Sequence, residues 1–315
     1  MARVVVLGAG VIGLTSALTL EEAGHDVRVI AAAKGSSTTS AAAGAIWYPF
    51  KVGPPEKAAI WAGATLHWLT ELAKATPGAG VDLLLRTELA ADGRWPWWAD
   101  ATPGIEKIES VDGKTLPAGA HVGWKFSAPR CDPPIFLEWL EKQLRRPVEI
   151  RRVDSLAELL AETNAEALIN CTGLGARRLT GDTELQAIYG QTVITAPGRI
   201  DLAHCLGDER DESRMFYSIP RRAEVVLGGC AEVCSDDRPC TTTRAMTDVI
   251  LSRAASMGLE PGPVLRESAG LRPYRPSVRL DRDAADPRII HNYGHGGSGY
   301  TLCRGCAEEV ARLVR

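Results

Sequence analysis

The chain has 315 residues, 45 % of them hydrophobic and 24 % charged, with a formal net charge of −3. That length suits about two domains with a sizeable core, and the near-balanced charge excludes the basic footprint of a nucleic-acid or anionic-membrane binder. No apolar run approaches the roughly 18 residues that span a bilayer, and the first segment lacks the charged start of a secretion signal, so a soluble, cytoplasmic protein is expected.

In chain order, Arg3 to Leu7 is a β-branched run that predicts a strand, Val11 to Ala23 carries apolar residues at helical spacing, and Val27 to Ile30 predicts a second strand. Between them lies Gly8-Ala9-Gly10-Val11-Ile12-Gly13, a glycine triplet placed between strand and helix. In such a βαβ unit the first glycine permits the tight turn, the second lets backbone approach a pyrophosphate, and the third lets helix and strand pack closely. Dinucleotide binding is the expected use. The acidic residue that should follow about 20 residues later to hold the ribose hydroxyls is missing, since the second strand ends Ala31-Ala32-Ala33-Lys34.

Gly35 to Gly44 is small and hydroxyl-rich and predicts a loop, either phosphate-binding or a solvated linker. A helix over Glu56 to Ala75 follows, then a poorly patterned stretch from Thr76 to Arg130 whose tryptophans (95, 97, 98, 124) suit core or wall positions. Phe136 to Arg145 predicts a helix, Val148 to Val153 a strand, Leu156 to Glu162 a helix and Ala167 to Gly173 a buried strand ending in a turn. Tyr189 to Thr195, Met215 to Pro220 and Val225 to Gly229 predict an antiparallel sheet, with Arg199 to Arg214 a charged, mobile connection and Thr241 to Met257 a helix. The chain then closes on His291-Asn292-Tyr293-Gly294-His295-Gly296-Gly297-Ser298-Gly299-Tyr300-Thr301 and a helix from Leu302 to Val314. A glycine-rich loop ahead of a helix presents bare backbone and helix N–H groups to a flat, electron-rich ligand. The first and last glycine loops are expected to close on one dinucleotide.

Eight cysteines show no ladder of spacings and are expected as free, mostly buried thiols. No residue set completes a metal site, and the Ser-Lys-Leu peroxisomal address is absent from the end.

Several segments together resemble the D-amino-acid oxidase family of FAD enzymes from end to end. They are the opening Val4 to Leu14, Ala42-Ala43-Gly44 with Trp47 and Pro49, Asn170-Cys171-Thr172-Gly173, Gly190-Gln191, and Ile219-Pro220 ahead of Leu227-Gly228-Gly229. The most specific are Gly270-Leu271-Arg272-Pro273-Tyr274-Arg275-Pro276 and His291 to Gly297. The resemblance implies a Rossmann-like FAD-binding α/β domain (1–50, 131–185 and 265–315) interleaved with an α+β substrate domain on an antiparallel or mixed sheet (51–130 and 186–264).

By the same resemblance FAD would be non-covalent and held by Gly8, Ala9, Gly10, Val11, Ile12 and Gly13. Ser37, Thr38, Thr39, Ala43, Gly44 and Ala45 would line its pyrophosphate and flavin, Val153 and Thr172 would touch it, Arg272 would border it, and Gly296, Gly297, Ser298, Gly299, Tyr300 and Thr301 would run under the ring. Arg272 and the Tyr217 hydroxyl would hold a substrate carboxylate, for which a guanidinium fork is suited, and the Gly297 carbonyl would accept from the substrate amine. Read without the resemblance, Arg272 could equally be a surface residue in a proline-stiffened turn and Tyr217 core packing. His291 and His295 are expected to be structural.

The activity implied is oxidation of neutral D-amino acids by hydride transfer from the α-carbon to FAD, with dioxygen as acceptor, giving a 2-oxo acid, ammonia and hydrogen peroxide. Rivals are an oxidase of glycine, a secondary amine or D-aspartate, a NAD-dependent dehydrogenase, and a flavin-bearing sensor without turnover. Three departures stand out: Ser213 where the family often has a second tyrosine over the site, Cys230-Ala231-Glu232 where relatives favouring acidic substrates carry arginine, and Arg304 where tryptophan is common. A homodimer is compatible with the sequence, which leaves oligomeric state open.

Overall fold

The computed structural model describes residues 1–110, 116–117, 119–235 and 240–314, so parts of the expected stretches 51–130, 186–264 and 265–315 lie outside the described residues. Contacts divide the chain into two units, one of Met1–Val81, Cys131–Ala187 and Arg272–Arg315, the other of Asp82–Arg130 and Ile188–Leu271.

In the first unit, β1 (Arg3–Ala9) is buried along Val4 to Leu7 and feeds through Gly10 into α1 (Val11–Glu22), which returns to β2 (Asp26–Lys34). The strands β6 (Glu149–Ile150), β2, β1, β7 (Ala167–Asn170) and β14 (Ile289–His295) lie side by side and parallel, the arrangement that βαβ crossovers produce. Such a sheet is covered on both faces, so its strands are near-continuous apolar runs, as in Ala-Leu-Ile-Asn of β7, buried at every position. Val5, Leu7, Ile30, Leu168 and Ile289 from the sheet pack with Leu156, Leu159 and Leu160 of α4 (Leu156–Thr163). The unit also holds α2 (Pro55–Ala75), α3 (Pro133–Gln143), the short α5 (Gly175–Thr180) and α7 (Gly299–Val314), with α7 packed on α1 and α2.

The second unit carries β3 (Val81–Ala90), β4 (Glu106–Glu109), β5 (Val122–Cys131), β8 (Gln186–Thr195), β9 (His204–Asp208), β10 (Phe216–Arg221) and β11 (Glu224–Gly228), in the order β4-β5-β3-β9-β10-β11-β8, with β12 (Glu232–Cys234) also on β8. The pairs β9/β10, β10/β11 and β11/β8 are antiparallel and β3/β9 is parallel, so the sheet is mixed. Phe216, Val225, Leu227 and Val193 pack with Ile250 and Ala254 of α6 (Arg244–Ser256). The long β13 (Val264–Arg282) passes from this unit to the first at Leu271/Arg272. A mixed α/β fold was expected, and the fold class is borne out.

Four local expectations are corrected. The strand expected over Val148–Val153 shrinks to Glu149–Ile150, because β2 slips register after Leu7/Ile30 and β6 finds partners only in Ile30 and Ala31. The connection Arg199–Arg214 contains β9, held by β3 on one side and β10 on the other although it has no β-branched residue. The unpatterned stretch 76–130 contains β3, β4 and β5; β5 alternates Val122, Trp124, Phe126 and Ala128 with Gly123, Lys125 and Ser127, a strand pattern broken by Gly123 and Pro129, residues that ordinarily demote a strand. The alternative of Arg272 in a turn also falls, since it lies in a strand, and Pro276 stands where the β13/β14 ladder is irregular between Tyr274 and Arg279.

The tryptophans of 76–130 divide, Trp98 and Trp124 being buried and Trp95 57 % exposed with its ring 4.6 Å from that of Trp124. All eight cysteines are free thiols. Among the described residues no helix is long and apolar enough to cross a membrane. The departure at Arg304 has a structural account: the side chain donates to Glu22 of α1 at 2.7 Å and Glu308 of α7 at 3.0 Å and lies over the Trp68 ring of α2, joining three helices.

Candidate functional site

The glycine triplet of β1–α1 takes the backbone shape that only small residues permit. Gly8 has φ +117° and a Cβ there would overlap the Cys171 carbonyl, while a Cβ on Gly13 would overlap the Gly8 carbonyl. Helix and strand therefore sit closer than any side chain allows. Ala9 is paired in register with Lys34, and Val11, Ile12 and Gly13 form the first turn of α1, whose N–H groups lack intrahelical acceptors. The Val11 N–H is taken by Ser40 Oγ at 3.0 Å.

Ser40 belongs to the hydroxyl-rich stretch, which forms two short 3-10 turns, Gly35–Ser37 and Thr39–Ala42. Ser37 and Thr39 are exposed, Thr38 Oγ1 donates to the Gly35 carbonyl at 2.8 Å, and Ala43 and Gly44 are half-buried. Ala45 adopts φ +57° and its carbonyl accepts from Cys131 N at 2.8 Å. Trp47, fully buried, donates its indole N–H to Ala62 O at 3.0 Å and so fixes the stretch that follows.

The second glycine loop joins β14 to α7 and is tied to that same stretch. Tyr300 Oη donates to the Ser40 carbonyl at 3.0 Å, Thr301 Oγ1 donates to Tyr48 O at 2.9 Å, and Ser298 Oγ accepts from Phe50 N at 2.7 Å while donating to Phe50 O at 2.8 Å. Gly299 brings the start of α7 to α1, since a Cβ there would lie 3.4 Å from Val11 Cγ1. Gly296 has φ +54°, and a Cβ on it would strike the Lys51 carbonyl; one on Gly297 would strike the Phe50 ring. The two distant glycine loops and residues 40–50 thus form one cluster within the first unit.

Thr172 sits at the turn after β7, with its hydroxyl donating to Asn170 Oδ1 at 2.7 Å. That acceptor role leaves Asn170 Nδ2 to donate to His291 Nδ1 at 3.3 Å, so the His291 proton resides on Nε2 and is given to Asp283 Oδ2 at 3.0 Å. Burial drives the His291 pKa below the ordinary imidazole value against the pull of Asp283, whose own carboxyl is held below its usual range chiefly by the bond from His291. The pair is a neutral imidazole on an ionised carboxylate. Burial alone lowers His295 to about 3. Its Nε2 has no hydrogen-bond partner among the described residues. Val153 follows β6, packs on the α4 cluster and accepts from Arg178 Nη2 at 2.8 Å. Lys34, expected near the adenosine end, forms an ion pair with Glu141 of α3.

Arg272 is half-buried on β13 with its guanidinium carbon 5.9 Å from the centroid of the Phe50 ring, the ring that also covers Gly297. Tyr217 lies in the second unit on β10, opposite Gly228, with its ring seated where Cβ atoms of Gly228 and Gly229 would be. Phe50 and Asp283 carried no expected role in the site, and Ser40 only that of one hydroxyl in the phosphate-binding stretch Gly35 to Gly44. Ser40 and Phe50 stood in stretches already singled out, while nothing local marks Asp283.

The residues present fit FAD. Two helix N-termini meet at Val11 and Gly299, a favourable setting for a pyrophosphate, and Gly8 and Gly13 bring strand and helix together as closely as a dinucleotide-binding turn requires. An enzyme of the dinucleotide-dependent redox class is what this βαβ unit and double glycine cluster define.

Residues 3–313 match the family model described as FAD dependent oxidoreductase. The chain is 39 % identical to a D-amino-acid oxidase of Rubrobacter xylanophilus, covering all of this chain and 96 % of that one, and 31 % identical to a human D-aspartate oxidase over 99 % and 94 %. Its fold resembles the crystal structure of glycine oxidase from Geobacillus kaustophilus with a TM-score of 0.80 at 16 % identity, covering 100 % and 95 % of the two chains. The chain belongs to the FAD-dependent oxidoreductase family, with FAD as its cofactor, and the resemblance read from its motifs is borne out.

Proposed function

We propose that this protein is an amino-acid oxidase acting on neutral D-amino acids, giving a 2-oxo acid, ammonia and hydrogen peroxide. The observation that carries the reading is the shared Phe50 ring: a half-buried guanidinium, Arg272, and a bare backbone, Gly297, abut the same aromatic side chain beside the glycine cluster. The 39 % identity to a D-amino-acid oxidase over the whole chain supports it.

In this reading Arg272 grips the substrate carboxylate through two parallel charge-assisted bonds, which fix orientation as well as supply energy. The Gly297 carbonyl accepts from the substrate amine and leaves the Cα–H turned toward the cofactor. Tyr217 gives a second bond to the carboxylate, a role that rests on the resemblance alone. FAD supplies hydride acceptance and reoxidation by dioxygen. No side chain is assigned as a base, because a neutral amine needs none, and His291 and His295 keep structural roles. Catalysis rests on position. The remaining cofactor contacts, from Gly8 to Gly13, in 37–45, at Val153 and Thr172 and from Gly296 to Thr301, belong to the same proposal, as do the assignment of the first unit to FAD and the second to substrate and a cytoplasmic location.

The neutral class is supported by Cys230-Ala231-Glu232 after β11, where no arginine stands to meet a second carboxylate. The test is anaerobic: D-alanine and D-valine bleach the flavin spectrum, L-enantiomers do not, and D-aspartate does so more slowly. Faster reduction by D-aspartate, glycine or a secondary amine would overturn the substrate assignment.

A further inference from the structure

The residues leading into β10 are tied down more firmly than their polar sequence suggests. Asp208 accepts from Arg210 Nε at 2.8 Å and Nη2 at 2.9 Å, and Asp211 Oδ1 accepts from Ser213 N at 2.9 Å and Ser213 Oγ at 2.6 Å. Arg253, in the last turns of α6, then reaches across. Its Nη1 donates to the Met215 carbonyl and to the Gly229 carbonyl, both at 2.8 Å, and its Nη2 donates to the Ser213 carbonyl at 2.9 Å.

Those three carbonyls bracket Tyr217. Met215 lies two residues before it, and Gly229 is one of the two glycines whose absent side chains make room for its ring. Tyr217 itself pairs with Gly228 across β10 and β11. One planar guanidinium, with its donors in a fixed fork, therefore spans the entry to β10 and the exit of β11. A lysine, offering a point charge on a flexible stem, cannot meet three carbonyls in that geometry. Among the described residues, Cys230, Arg214 and Asp211 act on Arg253 electrostatically, while its hydrogen bonds to Ser213, Met215 and Gly229 go to backbone carbonyls.

The geometry points to Arg253 as a positioning residue for Tyr217: by clamping Ser213, Met215 and Gly229 it holds the phenol in one place and keeps the 208–216 segment closed-packed where the family often has a second tyrosine. The inference rests on the reading that Tyr217 binds the substrate carboxylate. It differs from that reading in assigning the work of alignment to a residue that touches no substrate.

The test uses the holoenzyme and four variants, Arg253→Met, Arg253→Lys, Tyr217→Phe and the Arg253→Met/Tyr217→Phe double variant. Propionate is titrated against the flavin spectrum, KM and kcat are measured for D-alanine, and Tm is recorded for each. Arg253→Met is expected to weaken propionate and raise KM by about tenfold while kcat changes less, as a small misplacement of a binding group does. Arg253→Lys should fall between it and wild type. In the Tyr217→Phe background Arg253→Met should add no further weakening, because the group it aligns has lost its hydroxyl. Additive effects in the double variant, or unchanged propionate binding in Arg253→Met, would overturn the proposal while leaving the role of Tyr217 intact. If Arg253→Met does not fold, Arg253→Lys combined with Tyr217→Phe carries the same comparison. Wild-type behaviour of Tyr217→Phe alone would instead overturn the carboxylate reading, and this inference with it.

Discussion

The phenol of Tyr300 donates to the backbone carbonyl of Ser40 at 3.0 Å, across a sequence separation of 260 residues, and the hydroxyl of the same Ser40 caps Val11 at the start of α1. One serine thus links both glycine loops. Replacing Ser40 with Ala leaves a first-turn N–H without its acceptor, a loss of about 1 kcal/mol by analogy with helix capping. Because the bond also sets the spacing of the two helix N-termini, Ser40→Ala should weaken FAD as well. Fluorescence titration of apoprotein with FAD checks this, and an unchanged Kd together with an unchanged unfolding midpoint would contradict it.

Gly13→Ala should be far more damaging. The added methyl overlaps the Gly8 carbonyl, which is backbone and cannot swing away. Overpacking of this kind costs about 3 kcal/mol or more, and the strain falls on the loop expected to hold the pyrophosphate. The variant is expected to purify without flavin and with a lowered Tm. A yellow Gly13→Ala protein of normal Tm would mean the α1–β1 spacing relaxes freely.

His295 gives the protein an acid sensitivity with a definite sign. Its folded-state pKa of about 3 lies below the ordinary imidazole value of 6.5. The unfolded chain therefore binds a proton that the folded chain refuses, and stability falls as pH drops from 6.5 toward 3, by about 1.4 kcal/mol per pH unit from this one group. His291 and Asp283, both depressed, act in the same direction. Urea unfolding at saturating FAD should show wild type losing about 2 kcal/mol or more between pH 6.5 and 5.0, and His295→Leu should lose visibly less over that interval. Parallel pH profiles for the two proteins would remove His295 from the account.

The parts of this fold that could be read in advance are those whose signals are local. The β-branched run Val4 to Val6, the glycine triplet and the apolar spacing of α1 each lie within a dozen residues, and the helices α2, α3 and α7 carry their periodicity on one face. β5 was hidden because Gly123 and Pro129 interrupt its alternation of Val122, Trp124, Phe126 and Ala128, and β9 because its five residues owe their extension to two neighbours. Within the cluster, the glycines announce themselves, since backbone that needs φ > 0 or close approach leaves few choices of residue. Ser40 and Asp283 do not. Their partners Tyr300 and His291 are reached only after folding, and serine and aspartate at those positions are equally at home in ordinary turns.

Arg272→Leu removes the guanidinium proposed to hold the substrate carboxylate while keeping an apolar neighbour for Phe50. Loss of one partner in a desolvated charge pair costs about 2–5 kcal/mol, so kcat/KM for D-alanine should fall by roughly two to four orders of magnitude, with KM raised, while the flavin spectrum persists. Near-normal kinetics in that variant would sink the assignment of Arg272.

The end of β2 offers the last test, and one that asks for a gain. β1 and β2 lose register between Leu7/Ile30 and Ala9/Lys34, so Ala31, Ala32 and Ala33 stand opposite the single residue Gly8 at the place where a ribose carboxylate is expected, and Ala32 is exposed there. Lys34, the cation that closes β2, is already paired with Glu141. Ala32→Asp would supply the missing acceptor for the ribose hydroxyls, and charge-assisted hydrogen bonds of this kind contribute about 1.5 kcal/mol, or roughly tenfold in Kd. FAD titration of the apoprotein should therefore show the variant binding more tightly than wild type, with no change in kcat at saturating cofactor. A Kd that stays the same or weakens would mean that the adenosine ribose lies away from β2 in this chain, and that the three alanines mark a different path for the cofactor rather than a lost contact.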